Sequence, residues 1–157
     1  LSINQISDIS ALSGLTNLTV LDLSANQISD ISVLGGLTSL TRVDLSLNVQ
    51  ISDINPLKDL SDLKDLSLSF NKISDIGALS GLTNLTDLQL SFNQISDIGV
   101  LSGLTNLKAL YADMNQISDV NPLKNLAGLG YLDLSGNPVG EEQLAELKAA
   151  LPNCDIK

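Results

Sequence analysis

The sequence predicts an α/β solenoid: a right-handed coil of short parallel strands, one per turn, closed at its C-terminal end by a helix. Three observations predict it. The 157 residues form a tandem array whose complete units begin at Leu18, Leu40, Leu63, Leu85, Leu107 and Leu129, at spacings of 22, 23, 22, 22 and 22. A period in this range marks stacked supersecondary units rather than a single globular core. Within each unit a short run of alternating apolar residues passes into a run with apolar residues three apart, so a strand and a tight return leg alternate along the chain. An asparagine also recurs at the ninth position, where the strand must end and the chain must turn.

The unit reads L-x-x-L-x-L-x-x-N-x-I-S-D-I-x-x-L-x-x-L-x-x. The copy starting at Leu85 shows it in full: Leu85, Leu88, Leu90, Asn93, Ile95, Ile98, Leu101 and Leu104. Positions 4 and 6 are apolar while 3, 5 and 7 vary, the pattern of a strand buried on one side. Apolar residues at 14, 17 and 20 suit a 3₁₀ turn or an extended return segment. About ten residues remain for this leg, enough for a turn of 3₁₀ helix and little more. Consecutive strands then lie parallel, roughly 4.8 Å apart. A lone coil would leave both flat sides wet, so stability belongs to the stack. The one longer unit carries an extra residue in Asn48-Val49-Gln50-Ile51, which predicts a small bulge and an unbroken stack.

Asn4, Asn26, Asn48, Asn71, Asn93, Asn115 and Asn137 hold position 9. A carboxamide both donates and accepts, so a buried column of them is expected to satisfy the backbone groups that each turn leaves unpaired. Asp8, Asp30, Asp53, Asp75, Asp97 and Asp119 stand at the head of the return legs. Each is expected to cap the free N–H groups of the turn that follows; no D-x-D-x-D-G loop gathers them into a calcium site. Glu141 to Leu151 reads as a helix, with acids at its start, Lys148 near its end and Pro152 after it. Leu144, Leu147 and Leu151 share one face, which makes this helix a lid on the last coil, with Cys154 and Ile156 beside it. The expected organisation is one domain over 1–157, with repeats over 1–137, the first partial, and a C-terminal cap over 138–157. The N-terminal end has no comparable lid. Leu1, Ile6, Ile9 and Leu12 are expected to be half exposed there, and to be covered by another domain, a missing cap or a second copy.

The phrases NQISDIS, SGLTNLT and LDLSANQISD resemble the 22-residue leucine-rich-repeat class of bacterial internalins. The pattern is also similar to that of protein phosphatase 1 regulatory subunits. The resemblance runs the length of the chain. It implies a horseshoe or shallow arc, with the parallel sheet on the concave face, and a role in protein recognition. Two settings follow from it: a module at a bacterial surface or secreted, or a cytoplasmic regulatory scaffold. The near-identity of the repeats also fits an engineered, idealised scaffold.

Composition narrows the partner. Eighteen acids against eight bases give a net charge of −10, which argues against nucleic acid and anionic membrane surfaces. It favours a protein with a neutral or basic surface. No apolar run is long enough for membrane insertion, and no secretory leader is legible. The chain has no His and one cysteine, Cys154, which reads as a small buried hydrophobe rather than a reactive thiol. There is no Gly-rich phosphate loop and no metal-ligand cluster. An open sheet also gives carboxylates no dry cleft in which to raise a pKa. No catalytic residue, cofactor or metal is therefore expected, and the chain reads as a binding module, not an enzyme.

The variable strand positions carry the candidate site. Positions 3, 5 and 7 project from the sheet towards the concave face, and position 8 lies at its edge. All four aromatics (Phe70, Phe92, Tyr111 and Tyr131) fall at these positions, with the sole Met, Met114, and the sole Arg, Arg42. Exposed aromatic, Met and Arg side chains typify binding surfaces. Leu47, Phe70, Phe92 and Met114 are expected to form a ridge, with neighbours about 5 Å apart. That ridge either receives a partner or packs on itself to shield the strand edge. Asp22 stacks beside Asp44, and Asp65 beside Asp87, with Arg42 among them to relieve part of the repulsion; these acids are either a solvated face that aids solubility or an electrostatic docking patch. Gln89, Asp113 and Asp133 complete the expected partner-binding set. The surface is mixed: acidic early, apolar and aromatic from the fourth repeat to the seventh.

Overall fold

Alternation over three residues produces three-residue strands. In the computed structural model, which describes residues 1–157, they are β1 (Val20–Asp22), β2 (Arg42–Asp44), β3 (Asp65–Ser67), β4 (Asp87–Gln89), β5 (Ala109–Tyr111) and β6 (Tyr131–Asp133). They pair in parallel and in chain order within one seven-stranded sheet. Pairing joins equivalent positions of successive units, as in Leu21 with Val43 and Leu88 with Leu110. That register turns the central aliphatic of every strand inwards and its two neighbours outwards. Below the sheet, 40 buried apolar residues form one continuous core, filled almost entirely by leucine and isoleucine.

The return legs are 3₁₀ turns at Ser10–Leu12, Ser32–Gly36, Asn55–Leu57, Gly77–Gly81, Gly99–Gly103 and Asn121–Leu123. The aspartates do satisfy these turns, from one step further out than an N-cap. Asp8, Asp30, Asp75 and Asp97 accept the N–H two residues on, from Ser10, Ser32, Gly77 and Gly99, each at 2.8 Å. The N-cap position itself belongs to Ile9, Ile31, Ile76 and Ile98, because the core takes those side chains. The acid therefore acts from the residue before, as an Asx turn.

The asparagine column forms and links each coil to the one before it. Asn115 donates to the carbonyls of Leu90 and Ala112 at 2.9 and 3.1 Å, and its Oδ1 accepts the Ile95 N–H at 3.0 Å. Asn26, Asn48, Asn93 and Asn137 accept an N–H in the same way, from Ile6, Ile28, Ile73 and Ile117. Asn71 departs from the pattern. It donates to Leu45 and Leu68, but its buried Oδ1 has no partner. The equivalent donor would be Ile51, which lies just after the extra residue of the 23-residue unit. There Val49 has φ 41° and the Gln50 N–H turns back to the Asn48 carbonyl. The bulge thus keeps the stack intact and interrupts one rung of the ladder. Asn4 is exposed and its carboxamide bonds only to the Leu1 and Ser2 carbonyls, so the inter-coil column of carboxamides begins at Asn26.

Two ends complete the stack. Helix α1 (Glu141–Ala150) buries Leu147, and Leu151 just beyond it is buried too. Gln143 accepts the Val120 N–H at 3.0 Å, and Lys124 pairs with Glu146 at 2.7 Å. Beyond the helix the chain returns to the sheet as β7 (Asp155–Ile156), parallel to β6. The cap is therefore a helix and an added strand. At the other end Ile9 is buried, against the expectation of half exposure, because the second coil covers it. Ile6 and Leu12 are half-buried, and Leu1 is 63% exposed. Cys154 is half-buried, and burial pushes its thiol pKa up.

Candidate functional site

Repetition sorts the outward side chains into rows that cross the strands. One row runs Val20, Arg42, Asp65, Asp87, Ala109, Tyr131; the next runs Asp22, Asp44, Ser67, Gln89, Tyr111, Asp133. The last row lies where each strand ends, and its backbone is unusual. Ala25, Leu47, Phe70, Phe92 and Met114 all have φ between 52° and 59°, and Gly136 has 74°. The left-handed region suits glycine and costs a residue with a Cβ about 1–2 kcal/mol. Leu47, Phe70, Phe92 and Met114 are also 46%, 41%, 40% and 50% exposed. The ridge therefore exists, and its large apolar side chains stand on strained backbone without deep burial in return.

Phe70 and Phe92 stack with centroids 4.3 Å apart and planes at 10°. Tyr111 and Tyr131 meet at 4.8 Å and 39°. The Lys157 ammonium lies 5.0 Å from the Tyr131 ring, so the aromatic pair nearest the cap already has a cation on it. Met114 folds over Gly136, where a Cβ would collide with its sulfur. The remaining phenyl pair is open.

The acids are individually braced. Asp44 accepts both the N–H and the hydroxyl of Ser46, at 2.9 and 2.6 Å. Asp22 holds Ser24 in the same way, and Asp133 accepts the Ser135 N–H. Asp113 accepts the Ser91 hydroxyl. Arg42 pairs with Asp65 at 2.9 Å, which relieves the acid pair formed with Asp87. The Ser24 hydroxyl, then its N–H, hold the Asp22 carboxyl below its usual range. Partial burial would raise Asp133, but the Ser135 hydroxyl and N–H, the Tyr131 hydroxyl and Lys157 outweigh it, and its pKa also falls.

Between the ridge and the Asp44–Gln89–Tyr111 row lies a shallow groove of about 380 Å³. Its floor includes Ser46, Ser69 and Ser91, the last two buried. The repeat puts these serines at position 7, on the outward face. A small hydroxyl recurs there in nearly every unit, and a repeated small residue between bulky rows makes a trough. The left-handed ridge was likewise signalled only by glycine at that position in the last unit.

Comparison with known proteins places this architecture. A family model described as leucine rich repeats, in two copies, matches five overlapping windows: residues 1–36, 17–59, 38–81, 61–104 and 83–125. The chain belongs to the leucine-rich-repeat family. This leucine-rich-repeat chain is internalin-like. It is 39% identical to internalin C2 of Listeria monocytogenes, with a TM-score of 0.95 over 100% of this chain and 68% of that one. Internalin F of the same organism is 40% identical, with a TM-score of 0.93 over 97% of this chain and 44% of that one. A leucine-rich-repeat protein of Leptospira interrogans is 30% identical, with a TM-score of 0.85 over 91% of this chain and 38% of that one. The chain thus spans less than half of the second and third of these structures. No curated protein matches it. As a leucine-rich-repeat module of this family, the chain is a scaffold for protein–protein interaction.

Proposed function

We propose that the chain is a protein-recognition module that receives a protein partner on the open, concave face of its sheet, in a bacterial surface or secreted setting. One observation carries this reading. Phe70 and Phe92 are stacked and about two-fifths exposed, on left-handed backbone. Folding alone is better served there by glycine, which position 8 accepts in Gly136. Strain retained to present an aromatic pair to solvent fits a surface made for contact. A shallow trough across several strands also suits a partner burying ~800 Å² per side better than a small ligand enclosed by a deep pocket. The likeness to internalins supports the surface setting. The net charge of −10 supports a protein partner over nucleic acid.

The test is affinity capture with the wild type and with a Phe70→Ala/Phe92→Ala/Tyr111→Ala variant, each verified as folded by far-ultraviolet circular dichroism. The partner recovered by the wild type is expected to be lost by the variant. Equal recovery by both would remove this face from consideration.

A further inference from the structure

The groove has a feature that goes beyond a general docking face: a carboxylate at each end and an aromatic wall between. Asp44 lies at one end, on β2, and Asp113 at the other, just past β5. Phe70 and Phe92 form the wall, with Ser69 and Ser91 below. The chain's two ion pairs, Arg42–Asp65 and Lys124–Glu146, engage neither end acid. The hydrogen-bond donors to Asp44 and Asp113 are neutral: the hydroxyl and N–H of Ser46, and the hydroxyl of Ser91. Both carboxylates are partly buried, so water screens each incompletely, and neither has a cation within ion-pair distance.

We infer that this groove takes an extended basic segment of a protein, with arginine or lysine at positions i and i+4 and an apolar side chain at i+2. The inference rests on the docking reading above and names the chemistry of the partner. Three strand spacings separate β2 from β5, about 14 Å along the sheet. In an extended chain, residues i and i+4 are about 13 Å apart and share a face with i+2. Two cationic side chains therefore reach Asp44 and Asp113 together, and their length absorbs the offset of the two acids along the strand direction. The central side chain falls against the Phe70–Phe92 stack, whose rings also attract an adjacent guanidinium. The small serine floor leaves room for the segment's backbone. An acidic segment meets two carboxylates without ion-pair partners in the same place.

The probe is a blocked, fluorescently labelled peptide with the core Arg-Thr-Leu-Thr-Arg, titrated into the intact chain and followed by anisotropy. Two control peptides carry Glu-Thr-Leu-Thr-Glu and Arg-Thr-Arg-Thr-Leu. The first peptide is expected to bind about tenfold or more tightly than either control. The Asp44→Asn/Asp113→Asn variant keeps an oxygen for the serine donors and is expected to lose that advantage. Glu141→Gln/Glu142→Gln, the same change of charge on the distant helix, is expected to keep it. Equal binding of the three peptides overturns the inference, and so does equal loss in the two variants, which would reflect only the diffuse acidic field. Should the Phe70→Ala/Phe92→Ala/Tyr111→Ala variant lose the captured partner while Asp44→Asn/Asp113→Asn retains it, the docking face stands and the basic ligand falls.

Discussion

Asn71 and Asn115 form a matched pair that isolates one hydrogen bond. They are 8% and 7% exposed, so truncation to alanine removes the same atoms from similar depth. Both donate to a carbonyl of their own coil and to one of the preceding coil, at 2.9–3.1 Å. They differ at Oδ1: that of Asn115 accepts the Ile95 N–H at 3.0 Å, and that of Asn71 accepts nothing. Asn115→Ala therefore strands one more backbone group than Asn71→Ala, and a buried unpaired N–H costs about 1–3 kcal/mol. Asn115→Ala is expected to be the more destabilising by that amount. At roughly 2–4 °C per kcal/mol for a chain of this size, the difference is visible in thermal unfolding. Urea unfolding gives the free energies, and hydrogen exchange of the Ile95 amide reports the lost bond directly. Equal losses, or a larger loss for Asn71→Ala, would refute the claim that inter-coil acceptance by the column stabilises the stack.

Two further outcomes are expected. Gly136→Ala should destabilise by about 1–3 kcal/mol, because φ is 74° and a Cβ meets the Met114 sulfur; a neutral result in urea unfolding would contradict the strain assigned to the ridge. The pKa values of Asp8, Asp22, Asp30 and Asp133 are lowered from 3.8 in the folded chain. Their contribution is therefore present above about pH 4 and disappears as pH falls through the lowered native values. The thermal midpoint should fall along that acid limb, and Asp22→Asn with Asp133→Asn should flatten it; an unchanged limb in the double variant would remove these two carboxyls as its source.

Much of the architecture is legible in the residues because the code is local and repeated. Leu21, Val43 and Leu66 recur in phase, so the strand, its inward residue and its parallel register follow from the spacing alone. The aspartates before Ile9, Ile31 and Ile76 signal a cap, but not that the core claims the N-cap residue and moves the acid one step outwards. The extra residue at Val49 predicts a bulge, but not which polar group loses its partner, because Asn71 and its missing donor Ile51 lie in different coils. Strand β7 is invisible in a tail of mixed composition, because its pairing partner is supplied by β6 and not by its own pattern.

The surface divides along the same line. The row to which each aromatic and acid belongs is a matter of counting along the repeat, and so is the exclusion of histidine chemistry and of any disulfide within the chain. Which of those side chains are free is a matter of contact between coils. Lys157 takes Tyr131, Arg42 takes Asp65 and Met114 covers Gly136, while Phe70 and Phe92 remain open beside two carboxylates without a cation. Period and pattern act within a unit, where neighbours in sequence settle the outcome. Occupancy of a face arises between units, where residues a full repeat apart meet and only the folded stack brings them together.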